Sequence, residues 1–525
     1  MPGPTSPSCS TPSDRRSCQV ASPACTKVPA SDKGACVPSK TRSRPLAVVV
    51  LAAGKGKRLK SKLPKVLHSV CGRPALWHVL QAARKVRPNR LIIVVSHGRD
   101  EVEEAVRSWN VRPAPAFVDQ GEPLGTGHAV LVAERAVGNA AEVVVVPGDN
   151  PLITGDMLAA ILRTHRRRKA TATVQTAELP DPKGYGRVIR DGAEFIRIAE
   201  ERDATTAERR IREISTCVYA FSRPALFQVL PTVGTDNVQH EYYLPDVIGI
   251  LVDKGEPVAA EPADFDGTPS IDINTRAGLA DIAAAMRRRI NAAHMENGVT
   301  MIDPAQTYID IDVKIGPDTV IYPLTFLEGS TGIGADCVIG PSVGMLDTTV
   351  GDGSEVWFSV VLGSRLGKSV SVGPFARLRP GTVLKDGAKA GGFVDIKASV
   401  IGEGSKVPHL SYVGDTTIGR NVNVGAGTVT VNFDGYEKHR TIIEDEARIG
   451  SDNMLVAPIR IGKGAVTGAG SVLTENVPAG ALAVERGEQQ NIRGYRKRKD
   501  AERAAKGAGK VKAAKRKGKP NGGAR

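Results

Sequence analysis

The sequence predicts a Rossmann-like α/β domain with a mainly parallel sheet, followed by a left-handed parallel β-helix of hexapeptide repeats. Two patterns carry that expectation. From residue 46 to about 274, short β-rich apolar runs alternate with helical patterns, the order that builds a doubly wound parallel sheet. Beyond residue 298, aliphatic–glycine pairs recur in runs at multiples of six: Ile315-Gly316, Ile333-Gly334 and Ile339-Gly340, then Leu366-Gly367 and Val372-Gly373. The pattern continues with Ile418-Gly419 and Val424-Gly425, then Ile449-Gly450 and Ile461-Gly462. Each hexapeptide makes one face of a triangular coil, with its aliphatic residue inside and stacked on the coils above and below.

The bulk composition agrees. A chain of 525 residues with 41% hydrophobic content has room for two or more cores. Aromatic residues are only 4% and glycines number 56, which suits repetitive β structure with tight turns. No apolar run approaches the roughly 18 residues of a membrane span. No charged segment precedes an apolar core at the N-terminus, so no secretory signal is expected. The seven cysteines show no paired spacing of the kind a zinc site needs. Reduced thiols and a cytoplasmic location follow as expectations.

Net charge is +15, and the stretch 496–525 alone holds thirteen Lys/Arg against two acids. With almost no aromatic residues for base stacking, this tail reads as solvated rather than as a specific nucleic-acid binder. The folded domains are only mildly basic.

Five segments result. Residues 1–44, rich in Pro, Ser and Thr and carrying Cys9, Cys18, Cys25 and Cys36, read as a disordered extension or as the product of a misassigned start codon. Residues 45–276 form the α/β domain. Within it strands are expected at 46–51, 91–96, 143–147 and 171–176, and helices at 75–86, 102–109 and 157–165. Residues 277–297 are a linker helix, 298–490 the β-helix and 491–525 a basic disordered tail. The stretch 432–448 breaks the six-residue period and is expected to loop out.

Chemistry enters where the first strand ends. Leu51-Ala52-Ala53-Gly54-Lys55-Gly56-Lys57-Arg58 is a glycine turn crowded with cations, followed by Lys65. Glycines let backbone N–H groups approach an anion. No Gly-Lys-Ser/Thr follows, so this is not a Walker A loop, and the third glycine of a dinucleotide fingerprint is missing. Gln120 precedes Leu124-Gly125-Thr126-Gly127-His128, and Gly148-Asp149 closes a buried strand. Asp149 paired with the distant Asn274 makes a two-oxygen seat for Mg²⁺, with substrate phosphates completing the shell.

These motifs resemble the sugar-phosphate nucleotidylyltransferases. Ala52–Arg58 with Leu63-Pro64-Lys65-Val66-Leu67 is similar to that family's signature. Together with the β-helix, the resemblance narrows to the bacterial bifunctional family that combines N-acetylglucosamine-1-phosphate uridylyltransferase with glucosamine-1-phosphate N-acetyltransferase. It covers nearly all of residues 46–493. The resemblance implies that Leu51, Ala52, Gly54, Gln120, Gly125 and Thr126 bind the nucleotide. Arg58 and Lys65 would neutralise the triphosphate and Asp149 with Asn274 would hold Mg²⁺. Gly186, Glu200, Ser215 and Asn274 would line the sugar-phosphate pocket. Three positions depart from the family pattern: Ser215 stands for Asn, Pro245 for Thr, and Asn150 for Thr or Val.

The β-helix carries a second set. Arg379 and Lys397 fall on successive coils near His409, two cations for a phosphate and an imidazole for an ammonium proton. The plain alternative for His409 is a buried histidine with no task. Resemblance to the acetyltransferase half adds Tyr412 and Asn423 toward the sugar phosphate. It adds Ala426, Asn432, Phe433, Ser451, Ala469 and Arg486 toward acetyl-CoA, with Asn432 also reaching the sugar phosphate. Asp395 and Phe433 replace the usual Glu and Tyr. Family resemblance further implies a homotrimer with its acetyl-CoA site between subunits. The alternatives are a monofunctional nucleotidylyltransferase with a purely structural β-helix, and a non-enzymatic scaffold. His409, Arg379, Lys397 and the loop at Asn432 argue against the first, and retained Lys65, Asp149 and Asn274 against the second.

Overall fold

The structure is a computed structural model that describes residues 44–517. The expected N-terminal extension, apart from Arg44, and the last residues of the tail lie outside the described residues.

Strand Leu46–Leu51 is the centre of the first domain because it has nothing polar to expose: LAVVVL is buried on both faces up to its last residue. It pairs in parallel with Arg90–Val95 and with Glu142–Pro147. Across the sheet the strands run Val258–Pro262, Ala172–Glu178, Glu213–Ser222, Glu142–Pro147, Leu46–Leu51, Arg90–Val95 and Ala116–Asp119. Glu213–Ser222 alone in that row runs antiparallel to both its neighbours, and a hairpin of Arg187–Asp191 and Glu194–Ala199 hangs from it. Its register slips between Ser215 and Tyr219, which turns Cys217 to a φ of 59°. Leu76, Leu80, Leu158 and Ile161 cover one face, and Val130, Leu226, Val247 and Leu251 the other. A fully buried side chain of this size contributes about 1.5–3 kcal/mol.

Helix Arg276–Glu296 follows the sheet, capped by Thr275, whose hydroxyl accepts from Gly278 N at 3.0 Å. It is more than a spacer. Ile282, Ala285, Met286 and Ile290 are buried, and Asn291 Nδ2 donates to Pro304 O at 2.8 Å and Thr307 O at 3.0 Å. The hairpin Ser69–Val70/Arg73–Pro74 makes another contact: Cys71 O accepts from Ile311 N at 3.1 Å and Arg73 pairs with Asp312. The two halves are thus tied by side chains as well as by the chain.

The β-helix winds three parallel sheets of 11, 10 and 9 strands, in which every strand pairs with its equivalents on adjoining coils. One inward column reads Ile321, Ile339, Val356, Val372, Ala390 and Val407, all buried. The glycine of the repeat has a steric cause. A Cβ on Gly402 would lie 2.1 Å from Gly419 O of the next coil.

Two expectations need correction. The extruded segment is 432–440, shorter than expected, because Thr441–Ile443 pairs in register with Thr416–Ile418. That strand carries no aliphatic–glycine marker, so the period looked broken for longer than the coil is. The basic tail, expected without structure, contains a helix over Tyr495–Lys517. Ala, Lys, Arg and Glu are strong helix formers. Arg496–Asp500 at 3.2 Å and Lys499–Glu502 at 3.1 Å add helical-spacing pairs.

Candidate functional site

The first site sits at the carboxyl ends of the parallel strands, where open α/β sheets place ligands. Gly148 lies against Leu51, its N–H donating to Leu51 O at 2.8 Å, and a Cβ there would come within 2.9 Å of that oxygen. This contact sets the glycine turn beside Asp149. Ile273 N then donates to Asp149 O at 3.0 Å and Asn274 N to Asp272 O at 2.8 Å, so residues 272–274 close over Asp149. Lys65 stands between: its ammonium donates to Asn274 Oδ1 at 2.8 Å and is salt-bridged to Asp149. The two oxygens predicted for a metal therefore already converge on a cation, the chemistry that Mg²⁺ also needs. Among the described residues no three His, Cys, Asp or Glu side chains are grouped to hold a metal ion. A dication here draws on the Asn274 amide and on substrate oxygens as well.

Arg58 is exposed at the turn and Gly54 has open space around its Cα, so the turn is free to meet an anion. Gln120 is buried and donates to Gly125 O at 2.9 Å. Gly125, at φ 115°, is pressed against Tyr242, and Thr126 Oγ1 accepts from Leu244 N at 3.0 Å. The Gly125-Thr126 backbone is thereby fixed beside Gln120. Across the site a Cβ on Gly186 would lie 3.3 Å from Glu200 Oε1. Burial, then Asp246, Asp203 and Glu241, push the Glu200 carboxyl up to about 7.

Ser215 lies next to Gly186 of this pocket. It is buried, with Oγ 2.9 Å from Tyr219 OH, and its N–H donates to Gly186 O at 2.8 Å. Cys217 of the same stretch also lies near the site's carboxylates. Its thiol is raised well above its usual range by burial and by the nearby Asp272, Glu200 and Asp149. The other departures act elsewhere. Pro245 starts the helix Asp246–Asp253, where a missing N–H has no consequence, and Asn150 is fully buried with neither amide atom partnered.

Asp272 was missed. Ile271-Asp272-Ile273-Asn274 alternates, and a period of two that aims Asn274 at a ligand aims Asp272 the same way. The structure buries Ile271 and Ile273 and leaves Asp272 among Asp149, Lys65 and Arg58. Burial and Asp149 raise its carboxyl well above the usual range.

The second site lies on the β-helix. His409 is exposed, not buried, at the end of strand Lys406–His409. Coil register places Ala426, Ser451 and Ala469 successively above it: Gly392 pairs with His409, Lys406 with Asn423, and Val424 with Ile449. Gly470 N donates to Ser451 O and Asp452 N to Ala426 O, at 2.8 and 2.6 Å. The small side chains make a shallow track that leads away from the imidazole, with exposed Arg486 beyond its far end. Asn423 opens the strand above that of His409.

Around the next corner a polar cluster gathers. Lys397 Nζ is 3.6 Å from Asp415 Oδ2, and Asn432 Nδ2 donates to the same oxygen at 2.5 Å. Arg379 stands one coil from Lys397, and Tyr412 OH lies over Gly414 beside Asn432. Lys438 of the extruded loop meets Lys397 from outside. Phe433 is exposed on that loop, and Asp395 Oδ1 is buried without a partner. His409 makes no hydrogen bond with the Arg379–Lys397 pair. Asp415 and Lys438 went unassigned in the sequence, where each reads as a turn residue.

Known proteins agree with this two-site layout. Residues 48–219 match the MobA-like NTP transferase domain, and residues 440–475 match the hexapeptide repeat of succinyl-transferase. The bifunctional protein GlmU of Carboxydothermus hydrogenoformans is 48% identical over 448 residues, 85% of this chain and 99% of the relative. GlmU of Halalkalibacterium halodurans is 46% identical over 450 residues, covering 85% and 97%. GlmU of Streptomyces avermitilis is 46% identical over 472 residues, covering 89% and 97%. With two separate sites on two domains, and relatives of this identity along nearly their whole length, the chain belongs to the GlmU family of bifunctional proteins.

Proposed function

We propose the following division of labour in this bifunctional transferase. The β-helix acetylates glucosamine-1-phosphate from acetyl-CoA, and the α/β domain transfers uridylyl from UTP to the N-acetylglucosamine-1-phosphate formed. The products are UDP-N-acetylglucosamine, a cell-wall precursor, and pyrophosphate. The monofunctional alternative is set aside.

In the β-helix His409 takes the ammonium proton of the amino sugar, and the freed amine attacks the thioester carbonyl as the CoA thiol leaves. Arg379, Lys397, Tyr412 and Asn423 hold the sugar phosphate. The track Ala426–Ser451–Ala469, with Asn432, Phe433 and Arg486, takes acetyl-CoA. Asp415 orients Lys397 and Asn432. In the α/β domain a phosphate oxygen of the sugar attacks the α-phosphorus of UTP in line and pyrophosphate departs. Leu51, Ala52, Gly54, Gln120, Gly125 and Thr126 hold the nucleotide, and Arg58 and Lys65 balance its charge. Gly186 and Glu200 position the sugar. Asp149 and Asn274 hold Mg²⁺, which when bound neutralises triphosphate charge.

A homotrimer fits the same picture. Phe358, Phe375 and Phe393 stack on one corner of successive coils, with centroids 5.8 and 5.2 Å apart. Leu410 continues the column, and all four are exposed. A second copy that covers this ladder reaches His409, the residue before Leu410. Among the described residues no helix is long and apolar enough to cross a membrane. Free Cys71, Cys217 and Cys337 and phosphorylated substrates suit the cytoplasm.

The observation that carries this reading is the separation of the sites: Lys65, Asp149 and Asn274 converge in one domain, and the His409 track lies in the other. Asp149→Ala should stop formation of UDP-sugar while thiol release from acetyl-CoA continues. Parallel loss of both in folded protein would mean that the sites are not independent.

A further inference from the structure

Asp272 is an acid beside Asp149 at the uridylyl site whose buried oxygen has no partner. Asp149 is neutralised by Lys65, and Asn274 accepts from the same ammonium. Asp272 Oδ1 is shut off from solvent and accepts no hydrogen bond. An unpaired carboxylate buried next to a second one is strongly disfavoured unless a cation joins them. A divalent cation would satisfy Asp149, Asp272 and the Asn274 amide together, and would free Lys65 to turn toward phosphate.

One carboxylate and one amide are a weak set for Mg²⁺, which then depends on substrate phosphates to complete its shell. A second carboxylate changes that. Building on the reading of Asp149 and Asn274 as the metal seat, we propose that Asp272 is a third oxygen donor that lets the seat take up a divalent cation before any nucleotide binds.

The test is titration of the full chain with Mn²⁺ alone, followed by electron paramagnetic resonance of the free ion. Wild type should bind Mn²⁺ without nucleotide. Asp272→Asn, nearly isosteric, should bind about 10–100-fold more weakly, the range seen when a supporting metal-site group is lost. Asp272→Ser should behave likewise, and both variants should melt no lower than wild type in chelator, because each removes a buried carboxyl oxygen that has no partner. Equal Mn²⁺ affinity in wild type and both variants overturns the proposal. So does a wild type that binds Mn²⁺ only when UTP is present, an outcome that leaves the Asp149–Asn274 seat standing. Unchanged binding in Asp149→Ala would remove the seat itself and the proposal with it.

Discussion

Lys65 Nζ donates to Asn274 Oδ1 at 2.8 Å across 209 residues of sequence, and the same ammonium is paired with Asp149. One side chain therefore holds together the end of the domain, the end of its central strands and the glycine turn. Lys65→Met should lower uridylyl transfer about 10²–10³-fold, the usual loss when a preorganised electrostatic partner is removed. It should leave acetyl transfer unchanged. Breaking a buried pair from one side also costs about 3–5 kcal/mol, so the variant should melt lower, and added Mg²⁺ should recover part of the loss. A variant with normal uridylyl transfer would take Lys65 out of the site.

His409→Ala should lower acetyl transfer about 10²–10⁴-fold, the range for loss of a general base. Uridylyl transfer from supplied N-acetylglucosamine-1-phosphate should not change. Steady-state rates with each substrate pair decide it, and near-normal acetylation would assign the proton to another group.

Glu200 gives a pH signature. Its carboxyl is raised from 4.5 to about 7 in the folded protein, first by burial and then by Asp246, Asp203 and Glu241. Between those values the folded state binds more protons than the unfolded state, so this group's contribution makes stability fall as pH rises from about 4.5 to 7. Glu200→Gln should stabilise the protein at pH 8 by up to about 3 kcal/mol and change little at pH 4.5. Denaturant melts at the two pH values measure this, and an equal effect at both would contradict it.

Cys217 occupies a left-handed backbone position at φ 59°. That conformation costs a residue with a Cβ roughly 1–2 kcal/mol, and glycine carries its own entropic penalty of roughly 0.5–1 kcal/mol. Cys217→Gly should therefore stabilise the protein by up to about 1 kcal/mol. In wild type the raised thiol should react slowly with iodoacetamide at pH 8, and faster only above pH 9. Rapid labelling at neutral pH would show that the thiol is not held among the carboxylates.

Phe375→Glu places a charge in the middle of the aromatic ladder. Buried aromatic anchors are typically worth about 2 kcal/mol or more to an interface. The variant should dissociate in light scattering, lose acetyl transfer and keep uridylyl transfer. A trimer of unchanged stability with normal acetylation would place the interface on another face.

The sequence by itself determined what local periodicity can encode. An apolar run of six residues bounded by a glycine turn, such as 46–51, marks a buried strand, and an aliphatic residue before glycine at six-residue spacing marks an inward stack in a coil. Glycine-rich turns and paired polar residues marked the chemistry for the same reason. Tertiary structure decided which distant groups meet and which way each side chain faces. The register slip after Ser215 set Cys217 in a left-handed backbone position near the site's carboxylates. The fold-back at 272–274 brought Asp272 beside Asp149. Coil register lined Ala426, Ser451 and Ala469 above an exposed His409. These outcomes depend on contacts between residues tens to hundreds of positions apart, which local periodicity does not record.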